Sequence, residues 1–404
     1  MGSAGEAEVK KRWISMWEKK RHRVVVWALQ TFFSGYAWLK MGYRTRVHKL
    51  KKSQGQLILA NHQSFYDGYL VNLAFNRPVY IMAGDYMFNE GKKSERMNYL
   101  FAPIPKVKAG TDPASLLTTM RVLREGSVVG IFPEASRTYD GCFGKVPESM
   151  GRFIKKMKVP VTLFHLSGGY GADPRWCRTQ RRGHFIGSVK RTLTIEQIAN
   201  MSEQEIVDLI QKELYTDETK TRYRYRSRTR AEYLERLLYI CPRCGADSTL
   251  YSKGKYVTCK HCGLRAEYTE NTTFAFEDFD TDIKNVADWV AWQDAQLDRF
   301  NDAEGVIFSD DGVFLQTCDR NKLREDLGIG HIEIDKNEMR VTTPKGEHHF
   351  PFDEITIISP IAGTKILFTT KHDGSFMING PKRFNPYKYV KLCYHFTGNE
   401  DQVR

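Results

Sequence analysis

The chain has 404 residues, 41% hydrophobic and 12% aromatic, which is too long for one ordinary core and suggests two or three folded units at roughly one per ~150 residues. Its 61 Lys and Arg against 48 Asp and Glu leave a net charge of +13, which favours an anionic partner: phospholipid, nucleic acid or an acidic carrier protein. Four of the eight cysteines form two C-x-x-C pairs, which excludes a scattered disulfide framework and implies a reducing, cytosolic setting.

At the N-terminus, MGSAGEAEVKKRW lacks the short basic-then-apolar pattern of a cleaved signal. Residues 10–50 are basic at both ends around VVVWALQTFFSGYAWL, residues 24–39. Gln30, Thr31, Ser34 and Gly35 interrupt that run, and 16 residues at ~1.5 Å each fall short of the ~30 Å hydrocarbon core. Residues 1–44 are therefore expected to carry a helix lying in a membrane interface, with Trp13, Trp17, Trp27 and Trp38 at headgroup depth and the flanking cations on anionic lipid. A soluble helix packed on the next domain is the plainer alternative.

From about 55 to 220, short apolar runs such as QLILA, PVYIMAG, SVVGIFP and VPVTLFH alternate with amphipathic stretches, the pattern of strands feeding helices in an α/β domain. QLILA runs into Asn61-His62-Gln63-Ser64, and the next segment reads as helix. An S-x-x-D capping box from Ser64 to Asp67 is one reading. The other puts His62 in the turn before the helix and Asp67 in its first turn, where a carboxylate orients one imidazole nitrogen and leaves the other to take a hydroxyl proton. On one regular helix the two would not meet, because residues five apart differ by ~140° around the axis.

Seventy residues on, Phe132-Pro133-Glu134-Ala135-Ser136-Arg137 follows the apolar Val128-Val129-Gly130-Ile131. A strand ending in a proline turn that presents a carboxylate and a guanidinium makes an anion-binding loop, with Arg137 suited to grip phosphate bidentately. Together NHQSFYD and FPEASR resemble the N-H-x-S-x-x-D and F-P-E-G-T-R motifs of the glycerolipid acyltransferases, specifically the 1-acylglycerol-3-phosphate acyltransferases. The resemblance covers about residues 45–215, with Ala102 to Lys108 at the family's G-x-I-P-V-x-R segment and Val159-Pro160-Val161 at its V-P-[IV] strand. It implies acyl transfer from acyl-CoA or acyl carrier protein to a glycerol-phosphate hydroxyl, that of a lysophospholipid such as 1-acylglycerol-3-phosphate, with a different lyso-lipid or glycolipid acceptor as the alternative; the reducing setting and the interfacial helix place the expected protein at the cytoplasmic face of a membrane. His62 would be the base and Asp67 its orienter, while Lys108, Glu134, Ser136 and Arg137 hold the acceptor. Ala135, Ser136 and Lys108 depart from the family's glycine, threonine and arginine, and lysine lacks the guanidinium fork.

Beyond that region, Arg175, Arg178, Arg181 and Arg182 fall in a loop that either meets headgroup phosphates or a carrier protein, or is a solvated basic loop. Residues 217–240, with TRYRYRSRTR, read as a basic linker continuing into a short helix. Cys241-x-x-Cys244-Gly and Cys259-x-x-Cys262-Gly, 14 residues apart, have the spacing of a four-thiolate zinc ribbon over residues 241–266. Four protein ligands close the tetrahedron, so the zinc should be structural. Zinc ribbons often bind nucleic acid, but that function would leave both upstream motifs unexplained; a partner-docking appendage is a third reading.

Residues 272–404 should open on a helix, DIKNVADWVAWQDAQL, followed by β-type segments GVIFS and VFLQT paired across Asp311-Gly312, then HIEID, EMRVTT, EITIIS, KILFTT and SFMING, and a closing helix at NPYKYVKLCYHF. That order resembles a pleckstrin-type domain in architecture. The expected fold is thus an α/β mixed sheet of acyltransferase type flanked by helices, a zinc ribbon, and a β-rich C-terminal domain.

Overall fold

The computed structural model describes residues 17, 19–88, 91–107, 112–318 and 325–398. Trp13 and Lys108 lie outside them, so the headgroup role of the first and the phosphate role of the second stay with the sequence reading, whereas Trp17, expected at headgroup depth, is buried in the core with Nε1 donating to the Ala102 carbonyl at 2.9 Å. The described residues form two compact units: one from the chain up to 137 with 143–172 and 184–216, the other from 138–142, 173–183 and 217 onward.

The first unit opens with helices α1 (Lys20–Ala28) and α2 (Ser34–Met41), joined through a π-helical turn at Leu29–Phe33. The extra residue of that turn was not legible in the apolar pattern. Gln30 donates from Nε2 to the Phe75 carbonyl at 2.8 Å, which ties the turn down. No described helix is long and apolar enough to cross a membrane.

A seven-stranded sheet follows: β1 (Tyr43–Thr45), β2 (Gln56–Ala60), β3 (Val79–Gly84), β4 (Ile104–Lys106), β5 (Val128–Ile131), β6 (Val161–Ser167) and β7 (Phe185–Leu193), in the order β1-β7-β6-β2-β5-β3-β4. All neighbours are parallel except β6 and β7. The apolar runs of β2 and β5 are buried along their whole length, as expected of central strands covered on both faces. Helices α3 (Asp67–Leu73), α4 (Lys92–Phe101), α5 (Pro113–Arg124), α6 (Ser149–Met157) and α7 (Glu203–Leu214), with short helical segments at Gly169–Ala172 and Ile195–Asn200, belong to the same unit. Asp112 caps α5 by accepting from Ser115 N, with Pro113 at the first helical position, and Ser202 and Glu205 form a capping box on α7.

On β6, His165 is half-buried with Nε2 3.2 Å from the Tyr215 carbonyl; burial, and then the nearby Lys190 charge, pull its pKa down to about 4. The folded state keeps it neutral while the unfolded chain protonates it below about 6.5, so stability is full above that pH and is lost as the pH falls toward 4. The melting temperature of the first unit should therefore drop between those pH values, and His165→Gln should flatten the slope. Parallel melting curves of the two proteins check this.

In the second unit, β8 (Leu250–Lys253), β9 (Tyr256–Cys259), β10 (Arg265–Tyr268) and β11 (Phe274–Glu277) form an antiparallel sheet around the C-x-x-C pairs. Helix α8 (Val286–Asp294) is capped by Asn285 and Asp288. A second sheet has the order β15-β14-β13-β12-β18-β17-β16, all antiparallel: β12 (Phe308–Thr317), β13 (Asp326–Ile334), β14 (Glu338–Thr343), β15 (Gly346–Pro351), β16 (Ile355–Ile361), β17 (Lys365–Thr370) and β18 (Gly374–Asn379), closed by α9 (Pro386–Thr397).

Two expectations are corrected here. Asp311-Gly312 is not a hairpin turn: Gly312, at φ +73°, makes a bulge inside the single strand β12, where pairing shifts between Asp311 and Val313. Residues 217–240 carry no α-helix, only 3₁₀ turns at Glu218–Lys220 and Leu234–Arg236. Leu234, Leu237, Leu238 and Ile240 are buried in the same core as Val257, Trp289, Ile332 and Tyr389, so this stretch is packed rather than a free linker.

Candidate active site

β2 and β5 are parallel neighbours with Leu59 opposite Ile131, so both chains leave the sheet at the same edge. That register brings the His62 turn and the Phe132–Arg137 loop together, at the carboxyl ends of strands where α/β sheets place their sites. His62 lies before α3 and Asp67 is its first residue, the arrangement that lets side chains five apart meet.

Nδ1 of His62 stands 2.8 Å from Oδ2 of Asp67. An ionised carboxylate only accepts, so the ring hydrogen sits on Nδ1 and Nε2 keeps its lone pair. Asp67 is 0% exposed, and a buried carboxylate needs donors. Oδ2 accepts also from the backbone N–H groups of Gln63 (2.6 Å) and Ser64 (2.9 Å), and Oδ1 from the Ser64 hydroxyl (2.5 Å). Ser64 thus serves the carboxylate, and no regular S-x-x-D capping box forms. The imidazole stacks on Phe132 at 4.3 Å and 18°, and its side chain is 24% exposed, open enough for a substrate.

Neighbouring amides hold the turn. Asn61 bonds both backbone groups of Leu166 at 2.7 Å, and Gln63 accepts from Gly169 N at 2.9 Å. Glu134, assigned by resemblance to the acceptor, has both carboxylate oxygens on backbone: Oε1 accepts from His62 N at 2.7 Å and Oε2 from Gly144 N at 2.9 Å. Glu134 thereby clamps the His62 turn to the loop after β5. Ala135 sits at φ +57°, the left-handed region that explains the family's glycine there and costs alanine on the order of 1 kcal/mol. Ser136 and Arg137 follow on that loop, both half-buried. The sequence reading missed the roles of Asn61, Gln63 and Phe132; only their adjacency to the histidine and the FPE motif signalled them.

Among the four arginines after β6, Arg175 and Arg181 are buried rather than solvated. The Arg175 guanidinium lies 3.9 Å over the Tyr139 ring and bonds the Pro360 carbonyl, and Arg181 stacks 4.9 Å over Trp176. Arg178 and Arg182 are exposed.

The ligand atoms of Cys241, Cys244, Cys259 and Cys262 lie within 4.8 Å of one another. The Cys241–Cys262 and Cys244–Cys259 sulfur distances are 3.6 and 3.9 Å, too long for disulfides and close to the ~3.8 Å that four Zn–S bonds of ~2.3 Å impose on a tetrahedron. Gly245 and Gly263, at φ +70° and +73°, make the turns after each pair, with N–H groups returning to the Cys241 and Cys259 carbonyls. None of the eight cysteines is in a disulfide. These four residues fit zinc.

A histidine held by a buried carboxylate thus stands on a parallel-rich sheet beside an F-P-E loop. Residues 44–163 match the family model described as Acyltransferase, so this segment is an acyltransferase domain. Residues 234–273 match the zinc-ribbon family described as DNA directed RNA polymerase, 7 kDa subunit. No curated protein matches the chain. Among solved structures, the chain is similar to the 1-acyl-sn-glycerophosphate (LPA) acyltransferase PlsC from Thermotoga maritima, at 18% identity and TM-score 0.41 over 51% of this chain and 84% of that one. It is also similar to a chain of the 8S snRNP assembly intermediate, at 14% identity and TM-score 0.19 over 25% of this chain and 87% of that one. A third likeness is to the C-terminal domain of an unknown protein from Leishmania infantum, at 9% identity and TM-score 0.16 over 28% of this chain and 97% of that one.

Proposed function

We propose that this chain moves a fatty acyl group from an acyl-CoA or acyl carrier protein thioester to the hydroxyl of a lysophospholipid, with 1-acylglycerol-3-phosphate as the first acceptor to test. The observation that carries the reading is the His62–Asp67 pair, with Nδ1 held at 2.8 Å and Nε2 left as the base. In the reaction, Nε2 takes the acceptor's hydroxyl proton as that oxygen attacks the thioester carbonyl. Collapse of the tetrahedral intermediate breaks the C–S bond, and the imidazolium returns the proton to the leaving thiolate. Asp67 stabilises the imidazolium in between. Glu134 keeps the catalytic turn in place, and Arg137, a guanidinium on the adjoining loop, is the candidate for the acceptor's phosphate.

The substrate class also accounts for α1 and α2. Trp27 and Phe32 are 60% and 71% exposed, Trp38 and Leu39 are exposed as well, and Arg23, Lys40, Arg44 and Arg46 stand exposed at the ends. Apolar side chains of this kind enter the headgroup boundary while cations meet anionic lipid, which supports a peripheral or monotopic protein on a cytoplasmic membrane face.

Thioester turnover by the purified full chain across lyso-lipids with and without a phosphate monoester, offered acyl-CoA or acyl carrier protein in turn, tests the substrate. Arg137→Ala should raise KM chiefly for phosphate-bearing acceptors. Wild type and variant preferring the same acceptors to the same degree would move phosphate recognition elsewhere.

A further inference from the structure

The basic run that the active site leaves unused has a definite geometry. Between a bend at Tyr223 and the turn that begins at Arg228 the chain is extended: Tyr225 N donates to the Glu270 carbonyl at 2.7 Å and the next N–H, of Arg226, donates to the Arg182 carbonyl at 3.0 Å. Alternate residues of such a segment share a face. Arg222, Arg224, Arg226 and Arg228 are all exposed, whereas Tyr225 is 1% exposed. The four exposed guanidinium groups follow one another at every second residue, a row no longer than about 22 Å. Arg182 is exposed beside Arg226, and the β8–β9 turn, with exposed Lys253, abuts Arg228. Glu270 meets the row at Arg224, at 2.8 Å.

The chemistry of the row selects its partner. Arginine forks suit phosphate oxygens. Single-stranded nucleic acid is held on exposed aromatic platforms between cations, but here Tyr225 is buried and Tyr223 lies only partly exposed with Arg222 5.6 Å over its ring. A protein partner needs a desolvated apolar centre, and the exposed large hydrophobics among the described residues of this unit, Val306 and Ile329, lie outside the segment. What remains is a surface of many mobile phosphates. We propose that Arg222, Arg224, Arg226 and Arg228, with Arg182 and Lys253, form an electrostatic docking strip for anionic phospholipid headgroups. The strip is separate in sequence from α1 and α2, and the proposal rests on the lipid reading of the active site.

The test compares the full chain with a variant carrying Arg222→Gln, Arg224→Gln, Arg226→Gln and Arg228→Gln. Each is bound to vesicles of phosphatidylcholine alone, to vesicles one-third phosphatidylglycerol, and to single-stranded RNA, at low and high salt. A cation near an anionic bilayer contributes about fivefold in partitioning, so the variant should lose tenfold or more on the anionic vesicles at low salt. That difference should shrink at high salt, with binding to phosphatidylcholine unchanged. Retained zinc and an unchanged rate on a soluble short-chain acceptor show that both units remain folded. Should the fourfold variant lose zinc, Arg226→Gln with Arg228→Gln, which spares the Arg224–Glu270 pair, replaces it with a smaller expected loss of the same salt dependence. Equal binding of variant and wild type to anionic vesicles overturns the proposal, as does a loss confined to RNA. If the strip behaves as expected but no lyso-lipid is acylated, the lipid strip stands and only the active-site reading falls.

Discussion

His62→Ala should lower kcat by roughly two to four orders of magnitude while leaving vesicle binding nearly intact, the range expected when a positioned general base is removed. The ring is held by one carboxylate contact at 2.8 Å and one stack at 4.3 Å, neither of which carries the fold, so the variant should melt close to wild type. Asp67→Asn should cost as much in rate and more in stability. An amide nitrogen in that buried place would face the N–H groups of His62, Gln63 and Ser64, and the imidazole would lose its fixed tautomer. Steady-state kinetics and melting curves of both variants separate the two effects. A His62→Ala protein turning over within tenfold of wild type would remove histidine from the mechanism.

Loss of the metal should be the largest structural effect. Cys244→Ser, or a chelator reaching the exposed Cys244, should release one zinc per chain and unfold the second unit well beyond residues 241–266. Cys241, Val257, Cys259 and Ala266 belong to one core with Trp289, Phe308, Ile332 and Tyr389. Trp289 Nε1 donates to the Ile240 carbonyl at 3.0 Å, and Gln293 bonds both Tyr239 N and the Leu237 carbonyl, at 3.1 and 3.0 Å. Structural zinc contributes roughly 10–16 kcal/mol in isolated fingers, comparable to the ~5–15 kcal/mol that stabilises a whole domain. Zinc content, the emission of buried Trp176 and Trp289, and hydrogen exchange across β12–β18 should change together. Exchange protection surviving in β12–β18 after zinc is gone would show two independent folding units.

How far the sequence could be read followed the physics of each segment. QLILA and VVGI are legible because a central parallel strand is apolar throughout, and β2 ending just before Asn61-His62 locates the turn. Helix geometry allowed His62 to meet Asp67 and the resemblance carried by the second motif favoured it, while the ribbon came from ligand spacing. Long-range partners were not. Nothing local tells Glu134 to accept from a backbone N–H 72 positions back, or Arg175 to bond a carbonyl 185 positions on. Gly312 shows why D-G misleads: the same positive φ serves a hairpin turn or a bulge, and pairing with β13 decides. β15 escaped the reading because an edge strand of sequence GEHHFP carries too few apolar residues to show alternation.

Direct attack by the acceptor's hydroxyl is tested by counting thiol against product. Purified protein mixed with a thioester donor and a lysophospholipid should release one thiol for each acylated lipid formed, with no burst of thiol before acceptor is added. A burst equal to the enzyme concentration, or thiol release that continues at the same rate without acceptor, would contradict a His62-activated hydroxyl and point to an acyl-enzyme or a hydrolase.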